Sequence, residues 1–455
     1  MAAVRKKARL TYAQRTSAGR ALRDAVPRKN HGTWKPPLRP QRDPIEILKA
    51  MDSRRLPELV PIRYGRMLRS PFTFLRGAAA VMARDLAHTP FTGLRVQVCG
   101  DCHVLNFGLF ATPERHLVFD LNDFDETDPG PWEWDLKRLA ASLVIAGRDN
   151  KLSEAQSEEA VLECARAYRE HMRECSRMTP MDVWYERRDM QFLIDTAPDA
   201  EAKKFREELA EEARGRVIEH LSPKVARVTG RRHRLVDHPP NLVHVHTADW
   251  RKLVRDSILA FRNSLSDERR VLLDRYQLAD FALKVVGIGS VGTRCFVTLF
   301  IANEDQPLML QFKEAGRSVL EPYTEKSAYD NQGQRVVMGQ RLMQSSSDIF
   351  LGWLRSRSGH DFYVRQLRDM KMSIPLTGVD TAQLKRYAEA CGWTLSRAHA
   401  KSGDAATISG YLGKGNNFDR ALAKFARAYA DQTERDHETL VKAVKSGRVK
   451  AQVEE

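Results

Sequence analysis

Cysteine is scarce in this sequence, and long apolar runs are missing from it. The chain has six cysteines in 455 residues, too few and too scattered to form a disulfide framework, which favours a reducing cytoplasm. No stretch approaches the roughly 18 apolar residues that a membrane-spanning helix needs, so no membrane contact is expected. The basic start is not followed by an apolar segment, so a secretory signal is not expected either.

Positive charge is what the sequence has in excess. Lysine and arginine number 74 against 59 acidic residues, a formal net charge of +15. This charge favours acidic or phosphate-rich partners through a general electrostatic field and not through a specific site. Residues 1–45 carry much of the excess, with Asp24 and Asp43 as their acidic residues. We interpret them as a basic flexible tail that makes at most weak, nonspecific contact with nucleic acid.

The rest of the chain predicts an α+β protein. Hydrophobic residues make up 42% of the composition, which allows a substantial core in a chain of this length. Residues 46–278 are mostly helical in pattern, with a helix expected over 74–86 and a charged helical insertion further on. Residues 279–370 change to short β-like runs that predict a small antiparallel sheet. These runs include residues 283–286, 294–301 and 308–312. Residues 371–455 return to helices.

The strongest local pattern is a pair of acidic segments, each beside a short apolar strand. Kinase-type phosphotransfer uses an aspartate that accepts the proton of the acceptor hydroxyl. It also uses an asparagine five positions later and an aspartate beyond the next strand, both of which bind Mg²⁺. Asp101 and Asn106 have this spacing, and an amide oxygen suits a hard cation. The candidate metal-binding carboxylates are Asp120, Asp123 and Asp125. The plain alternative is a turn capped by Asp101 and a solvated acidic loop.

A further acid, Asp135, lies in the helix predicted over residues 134–146. An acidic residue where a helix opens can cap the helix and brace the loop behind it. We therefore expect Asp135 to support the Asp101 loop from behind and not to take part in the chemistry.

A glycine-rich segment in the β-like region matches G-x-G-x-x-G, a pattern that dinucleotide sites, kinase loops and ordinary turns share. The residues expected to contact a nucleotide are Gly287, Gly289, Ser290 and Gly292. A dinucleotide fold would continue as a helix, whereas the residues that follow here have β-like order. The loop therefore joins two strands, and its N–H groups can cover phosphates.

The second strand after this loop ends at Lys313, whose ammonium can reach the α- and β-phosphates of ATP. An exposed lysine at a strand end is the plain alternative. A kinase lysine is usually oriented by a glutamate on the following helix, but the helix expected over residues 334–344 contains no acid.

Several of these segments resemble the bacterial family known as domain of unknown function 2252. The segments that carry the resemblance are residues 100–108, 119–126, 129–139, 311–315, 334–344 and 363–371. That family is similar to protein kinases and aminoglycoside phosphotransferases, which implies a protein-kinase-like, two-lobed fold with a small antiparallel sheet lobe and a larger helical lobe. Cys99 stands where those enzymes have a histidine. The glycine loop follows the acidic loop instead of preceding it, which implies circular permutation.

The sequence thus predicts an ATP- and Mg²⁺-dependent phosphotransferase with Asp101 and Lys313 as catalytic residues and a small molecule or protein as hydroxyl acceptor. Transfer of AMP on the same fold is a second expectation, because two features depart from the kinase pattern. A non-catalytic nucleic-acid or regulatory module is a third, favoured by the net charge. A nuclease that uses the three candidate metal-binding aspartates is a more remote alternative.

Overall fold

The computed structural model describes residues 10–36, 42–216, 226–229, 232–244, 250–285, 287–303, 306–367 and 370–453. Some residues for which the sequence makes predictions lie outside these ranges. They belong to the expected tail, the predicted insertion, the 363–371 segment and the C-terminal region, and they include Val286 at the end of a predicted strand. Within them the protein is a mixed α+β structure with small antiparallel sheets. No described helix has both the length and the apolar character needed to cross a membrane.

Helices form the larger part of the described secondary structure. In chain order they are α1 (Tyr12–Ala25), α2 (Pro44–Asp52), α3 (Val60–Met67), α4 (Pro71–Gly77), α5 (Ala79–Leu86), α6 (Trp132–Asp149), α7 (Glu154–Cys175), α8 (Pro180–Tyr185), α9 (Met190–Asp195), α10 (Ala200–Gly215), α11 (Trp250–Arg262), α12 (Asp267–Leu273), α13 (Gln332–Met343), α14 (Thr381–Ala400), α15 (Ala405–Leu412) and α16 (Asn417–Lys445). Local sequence sets several of their starts, because the side chains of Thr11, Ser153 and Asp380 accept hydrogen bonds from the first turns of α1, α7 and α14.

The strands pair with antiparallel neighbours throughout the described part. They are β1 (Arg95–Val98), β2 (Phe107–Ala111), β3 (Leu117–Leu121), β4 (Asp128–Pro131), β5 (Arg188–Asp189), β6 (Ala226–Thr229), β7 (Arg232–Leu235), β8 (Leu242–Val243), β9 (Gln277–Lys284), β10 (Cys295–Ile301), β11 (Pro307–Glu314), β12 (Gly352–Arg355), β13 (Asp361–Gln366) and β14 (Met372–Ser373). The larger sheet has the order β12-β13-β11-β10-β9-β8, and a smaller one has the order β14-β2-β3-β5. Strands β1 and β4 form a separate pair, as do β6 and β7.

The larger sheet presents Lys313 on one face. Leu310 and Phe312 of β11 belong to an apolar cluster that includes residues of α11. Side chains alternate along a strand, so Lys313 lies on the opposite face from Phe312. It stands beside Tyr363 of β13 in the register of the two strands. Only 3% of its side chain is exposed, which excludes the plain alternative of an exposed lysine at a strand end.

The main core surrounds α6, which is buried along almost its whole length and packs against α7 and α16. Asp135 in its first turn accepts hydrogen bonds from the backbone N–H groups of Cys99 at 2.7 Å and Gly100 at 3.0 Å. These bonds confirm the expected bracing role of Asp135. They fix the loop that carries Asp101 to the most deeply buried helix of the core.

The described part of the expected flexible tail differs from the prediction, because residues 12–25 form α1. A Cβ on Gly19 would lie 1.9 Å from the carbonyl oxygen of Thr407, so α1 can approach α15 this closely only with glycine there. Arg23 donates hydrogen bonds to the carbonyl oxygens of Tyr411 at 2.8 Å and Gly410 at 2.6 Å. The last carbonyls of a helix have no partner within it, and cations stabilise that end. The basic residues thus bind a helix end that lies far away in the sequence.

The helix predicted over residues 74–86 is divided into α4 and α5 at Ala78. Arginines from other helices satisfy the carbonyls at the end of α4. Arg138 of α6 donates to the oxygen of Leu75 at 2.9 Å, and Arg63 of α3 donates to that of Gly77 at 2.7 Å. The break lets the last turn of α4, which carries Arg76, reach the cleft described below.

Candidate active site

Two loops at one end of the β2–β3 hairpin bring the acidic segments together. Asp101 and Asn106 precede β2, whereas Asp123 and Asp125 follow β3. The backbone N–H of Asn122 donates to the carbonyl oxygen of Asn106 at 2.8 Å. The hairpin therefore brings the two loops into contact, although they are separated along the chain.

The carboxylate of Asp101 is held by α6 and faces the space between the loops. Arg138 donates from its Nε to Asp101 Oδ1 at 2.6 Å, and 21% of the Asp101 side chain remains exposed. Burial raises the pKa of Asp101, while the charge of Arg138 opposes that rise. Gly100 has a φ of +81°, and a Cβ there would lie 2.3 Å from the carbonyl oxygen of Glu126. Only glycine therefore lets the two acidic loops pass this closely.

Lys313 meets the second acidic segment from the larger sheet. Its ammonium contacts the carboxylate of Asp125 and lies 4.0 Å from that of Asp123. Tyr363 donates its hydroxyl hydrogen to Asp125 at 2.7 Å. Burial acts to raise the pKa of Asp125, but the ammonium of Lys313 holds that pKa below its usual value. Against the effect of burial, the two carboxylates hold the pKa of Lys313 well above its usual value. The Lys313–Asp125 pair is therefore ionised at neutral pH.

The glycine loop connects β9 to β10 and reaches the same acidic segment. Ser290 donates its hydroxyl hydrogen to Asp125 at 3.1 Å, although 165 residues separate the two in the chain. Gly287, Gly289 and Ser290 line the cleft, whereas Gly292 is not among its lining residues. Within the described part of the chain, the N–H groups of Gly289, Ser290 and Gly292 have no hydrogen-bond partner. Backbone donors of this kind suit a phosphate group.

One cleft of about 1170 Å³, including its open mouth, contains both acidic loops and the glycine loop. Asp101, Asn106, Asp123 and Asp125 line it. The side-chain NH₂ group of Asn106 donates to the carbonyl oxygen of Asp101 at 2.5 Å, which leaves the amide oxygen as the atom available to a cation. Asp123 is the more open carboxylate, with 39% of its side chain exposed. Amide and carboxylate oxygens together fit the ligand preference of Mg²⁺.

Asp120 does not join this cleft, in contrast to the prediction that it is a candidate metal ligand. It is buried and pairs with Arg397 of α14 at 2.6 Å. Its other oxygen accepts hydrogen bonds from the N–H and the hydroxyl group of Ser345, each at 2.7 Å. Both oxygens therefore link β3 to neighbouring elements. Asp120 lies within β3, whereas Asp123 and Asp125 lie beyond its end. This difference in position explains why only the latter two side chains line the cleft.

The cleft also contains residues that the sequence analysis did not select. Burial raises the pKa of Glu126 to about 7, and its carboxylate accepts the N–H of Val319 at 2.7 Å. Burial also keeps the pKa of His103 well below its usual value, so this side chain is neutral. Arg76 reaches the cleft from the end of α4. The position of Glu126 next to Asp125 was an available signal, but nothing in the sequence indicated that α4 would lie here.

The helix that follows the Lys313 strand has no acidic residue and contributes an arginine to the acidic segment. Arg335 of α13 donates to the carbonyl oxygens of Asp125 at 2.8 Å and Gly316 at 2.9 Å. It therefore supports the backbone of the acidic segment. The acid that orients Lys313 is Asp125 itself, which supplies the partner that was missing from residues 334–344.

The family model for domain of unknown function 2252, described as an uncharacterized protein conserved in bacteria, matches residues 55–443. This range includes the acidic loops, the glycine loop and Lys313. The comparison with curated proteins and the comparison with solved structures gave no match.

Proposed function

Because the chain belongs to the bacterial family of domain of unknown function 2252, whose description names no activity, we propose a function from the chemistry of the cleft. The protein transfers the γ-phosphoryl group of ATP to a hydroxyl acceptor with the help of Mg²⁺. Phosphoryl transfer depends on positioning and on neutralising negative charge more than on covalent chemistry by the protein. A cleft that combines oxygen ligands for a metal with an ammonium group and free N–H donors suits this reaction.

The observation that carries the proposal is the meeting of Lys313 with Asp123 and Asp125. These side chains come from the sheet and from the β2–β3 hairpin, and Ser290 of the glycine loop joins them. Each element alone has a plain structural explanation. Their meeting around one cleft that Asp101 also lines supports a phosphate-handling site.

Each group has a role in this proposal. Asn106 and Asp123 would hold Mg²⁺, which supplies positive charge to the phosphates. Lys313 and the N–H groups of the glycine loop bind the phosphate oxygens. The acceptor oxygen forms a bond to the γ-phosphorus while the bond to the bridging oxygen of ADP breaks. Asp101 accepts the proton that the acceptor loses.

The proposal extends to the fold, which we describe as a circularly permuted relative of protein kinases and aminoglycoside phosphotransferases. In those enzymes a helix precedes the catalytic loop. Here α14 lies near the end of the chain, yet its Tyr387 donates to the carbonyl oxygen of Val104 in the Asp101 loop at 2.6 Å. His399 of α14 also lies 3.3 Å from Asp135, which braces the same loop. This proximity supports a permuted order of otherwise similar parts.

Thermal unfolding with ATP and Mg²⁺ tests the nucleotide site. Ligand at 100 times its Kd raises the free energy of unfolding by about 2.7 kcal/mol. We expect stabilisation that needs both ATP and Mg²⁺ in the native protein and that is lost in Asp123→Ala. Asp330→Ala is the matched control, because Asp330 is exposed and away from the cleft. Equal stabilisation of both variants would contradict the proposal.

Transfer itself is tested with γ-labelled and α-labelled ATP in parallel. Phosphoryl transfer moves the γ-label to the acceptor, whereas AMP transfer moves the α-label. We expect γ-label transfer that is abolished in Asp101→Asn while ATP binding remains. Exclusive transfer of the α-label would replace phosphoryl transfer with the AMP-transferring alternative.

A further inference from the structure

Arginine is concentrated in the part of the cleft lining that lies outside the acidic and glycine loops. The guanidinium groups come from the segments between α2 and α5 and from the segment after β11. They are Arg54, Arg55, Arg63, Arg76 and Arg317. Arginine offers planar, bidentate donors that match phosphate and carboxylate groups. Such a concentration indicates an anionic ligand unless acids of the protein already neutralise it.

Most acids of the cleft already face a cation, although Asp123 and Asp125 share the one ammonium of Lys313 and Glu126 has no ion pair in the described part of the chain. The pairs are Arg138–Asp101, Lys313–Asp123, Lys313–Asp125 and Arg294–Glu314, and Arg63 has its own partner in Asp52. Arg54 and Arg317 have no ion pair in the described part of the chain, and Arg54 donates to the carbonyl oxygen of Arg317 at 3.4 Å. The nearest carboxylate to Arg55 is that of Asp52 at 4.0 Å. Positive charge therefore remains on this part of the lining.

Arg76 is the clearest example of a cleft arginine that has no partner among the described residues. It makes no hydrogen bond or ion pair within the described residues, and its Nε is buried without a partner. Burial lowers the pKa of Arg76, and the charges of Asp101 and Asp123 oppose that change. Arg76 lines the same cleft as Asp101, the carboxylate that would receive the acceptor's proton. A buried donor without a partner costs stability, and an anion bound in the cleft would satisfy it.

The arginine-bearing segments are also fixed to the glycine loop. The N–H of Leu56 donates to the carbonyl oxygen of Gly292 at 2.7 Å, and Arg55 donates to that of Val291. Arg66 of α3 donates to the carbonyl oxygen of Gly287 at 2.7 Å. These contacts close one side of the cleft. Closure on this side favours a small acceptor that enters through the mouth of the cleft over an extended polypeptide.

From this geometry we infer that the acceptor is a small hydroxyl compound with a phosphate or carboxylate group, which Arg76 binds beside Asp101. This inference rests on the proposed phosphotransfer. Lys313 and the glycine loop serve the nucleotide, and Arg76 serves the acceptor. Arg54, Arg55 and Arg317 contribute positive charge that attracts the acceptor to the cleft.

Isothermal titration calorimetry on protein saturated with AMP-PNP and Mg²⁺ tests this assignment. Glycerol 3-phosphate, glycerate and glycerol are the probes, because they share a carbon skeleton and carry a phosphate, a carboxylate or no charge. We expect one or both anions to bind and glycerol not to bind. Hydrogen bonds to charged groups contribute about 1.5–3 kcal/mol, so Arg76→Ala should weaken anion binding by about 10- to 150-fold. Arg76→Lys should restore part of the affinity, since it keeps the charge and loses the bidentate geometry.

Two controls separate this role from a structural one. Arg420→Ala removes an exposed arginine from α16 and should change the affinity neither for AMP-PNP nor for the anion. Arg76→Ala should keep the affinity for AMP-PNP and should not lower the melting temperature, because Arg76 has no protein partner to lose within the described chain.

The possible outcomes are distinct. Displacement of the anion by AMP-PNP, or equal binding of glycerol and the anions, would overturn the inference. Transfer of γ-label to dephosphorylated casein and not to the small anions would also overturn it. If AMP-PNP fails to bind while an anion binds in an Arg76-dependent manner, the phosphotransferase proposal fails and the anion site stands.

Discussion

Replacing Lys313 by methionine is the most direct perturbation of the site. Methionine has a similar unbranched length and fills the same space in the sheet. The change removes the ammonium that contacts Asp125 and lies 4.0 Å from Asp123. It leaves two neighbouring carboxylates without their main counter-charge.

The expected loss can be estimated from burial. Breaking a buried ion pair by removing one partner costs about 3–5 kcal/mol, because the remaining charge is uncompensated. Asp125 keeps its hydrogen bonds from Tyr363 and Ser290, and 25% of its side chain is exposed. We therefore expect the lower end of the range, about 3 kcal/mol in the free energy of unfolding at neutral pH.

Urea denaturation of the native protein, Lys313→Met and the double variant Lys313→Met/Asp125→Asn measures this loss. The double variant should recover about half of it or more, because its amide needs no counter-charge. In Lys313→Met the pKa of Asp125 should rise, since Lys313 is what holds it down against burial. The stability difference from the native protein should then shrink as the pH falls and Asp125 takes up a proton.

Magnesium adds a test that concerns the site and not only stability. Without the ammonium, Asp123 and Asp125 should bind Mg²⁺ in the absence of nucleotide and regain part of the lost stability relative to protein in EDTA. ATP binding should be lost in the same variant. A difference below about 1 kcal/mol between native protein and Lys313→Met, as for an exposed ion pair, would refute the reasoning. A double variant no more stable than Lys313→Met would refute it equally.

Three further predictions concern neighbouring carboxylates. Burial raises the pKa of Glu126 from 4.5 to about 7. The free energy of unfolding of the native protein should therefore fall by up to about 3 kcal/mol as the pH rises through this window. Denaturation of Glu126→Gln at several pH values should not show this fall. Asp120→Asn should destabilise the protein by about 3–5 kcal/mol in urea, because it leaves Arg397 buried without its partner, but calorimetry should find the ATP affinity of the folded variant unchanged. Asp101→Asn should lower the transfer rate by about 10²- to 10⁴-fold in a steady-state assay, with ATP affinity within about threefold of native.

Where local pattern decided the structure, the sequence predicted it closely. The β-like runs over residues 294–301 and 308–312 correspond to β10 and β11, and the helix expected over 334–344 is α13. The bracing of the Asp101 loop by Asp135 also agrees with the prediction, although 35 and 36 residues separate Asp135 from the two N–H groups that it binds. Alternation, capping and loop length act over a few residues, so one sequence suffices to recognise them.

Where elements that are distant in the chain meet, the predictions from the sequence were wrong or gave no information. The arginines of α1 look like those of a solvated tail, but Arg23 binds the end of α15. Asp120 and Asp123 are both candidate metal ligands in the sequence, and the structure separates their roles because Arg397 of α14 and Ser345 bind Asp120. The break between α4 and α5 depends on arginines from α3 and α6. In each case the deciding partner lies elsewhere in the chain.

The sequence by itself determined the types of residue available for the chemistry: an Asp and Asn at fixed spacing, a glycine loop between strands and a lysine at a strand end. Only the tertiary structure decided that Lys313 contacts Asp125, that Arg76 has no protein partner among the described residues, and that these groups share one cleft. The physical reason is that spacing within a loop is fixed by covalent geometry. The distance between a sheet and a hairpin is fixed by how their apolar faces pack, and that packing depends on the whole chain.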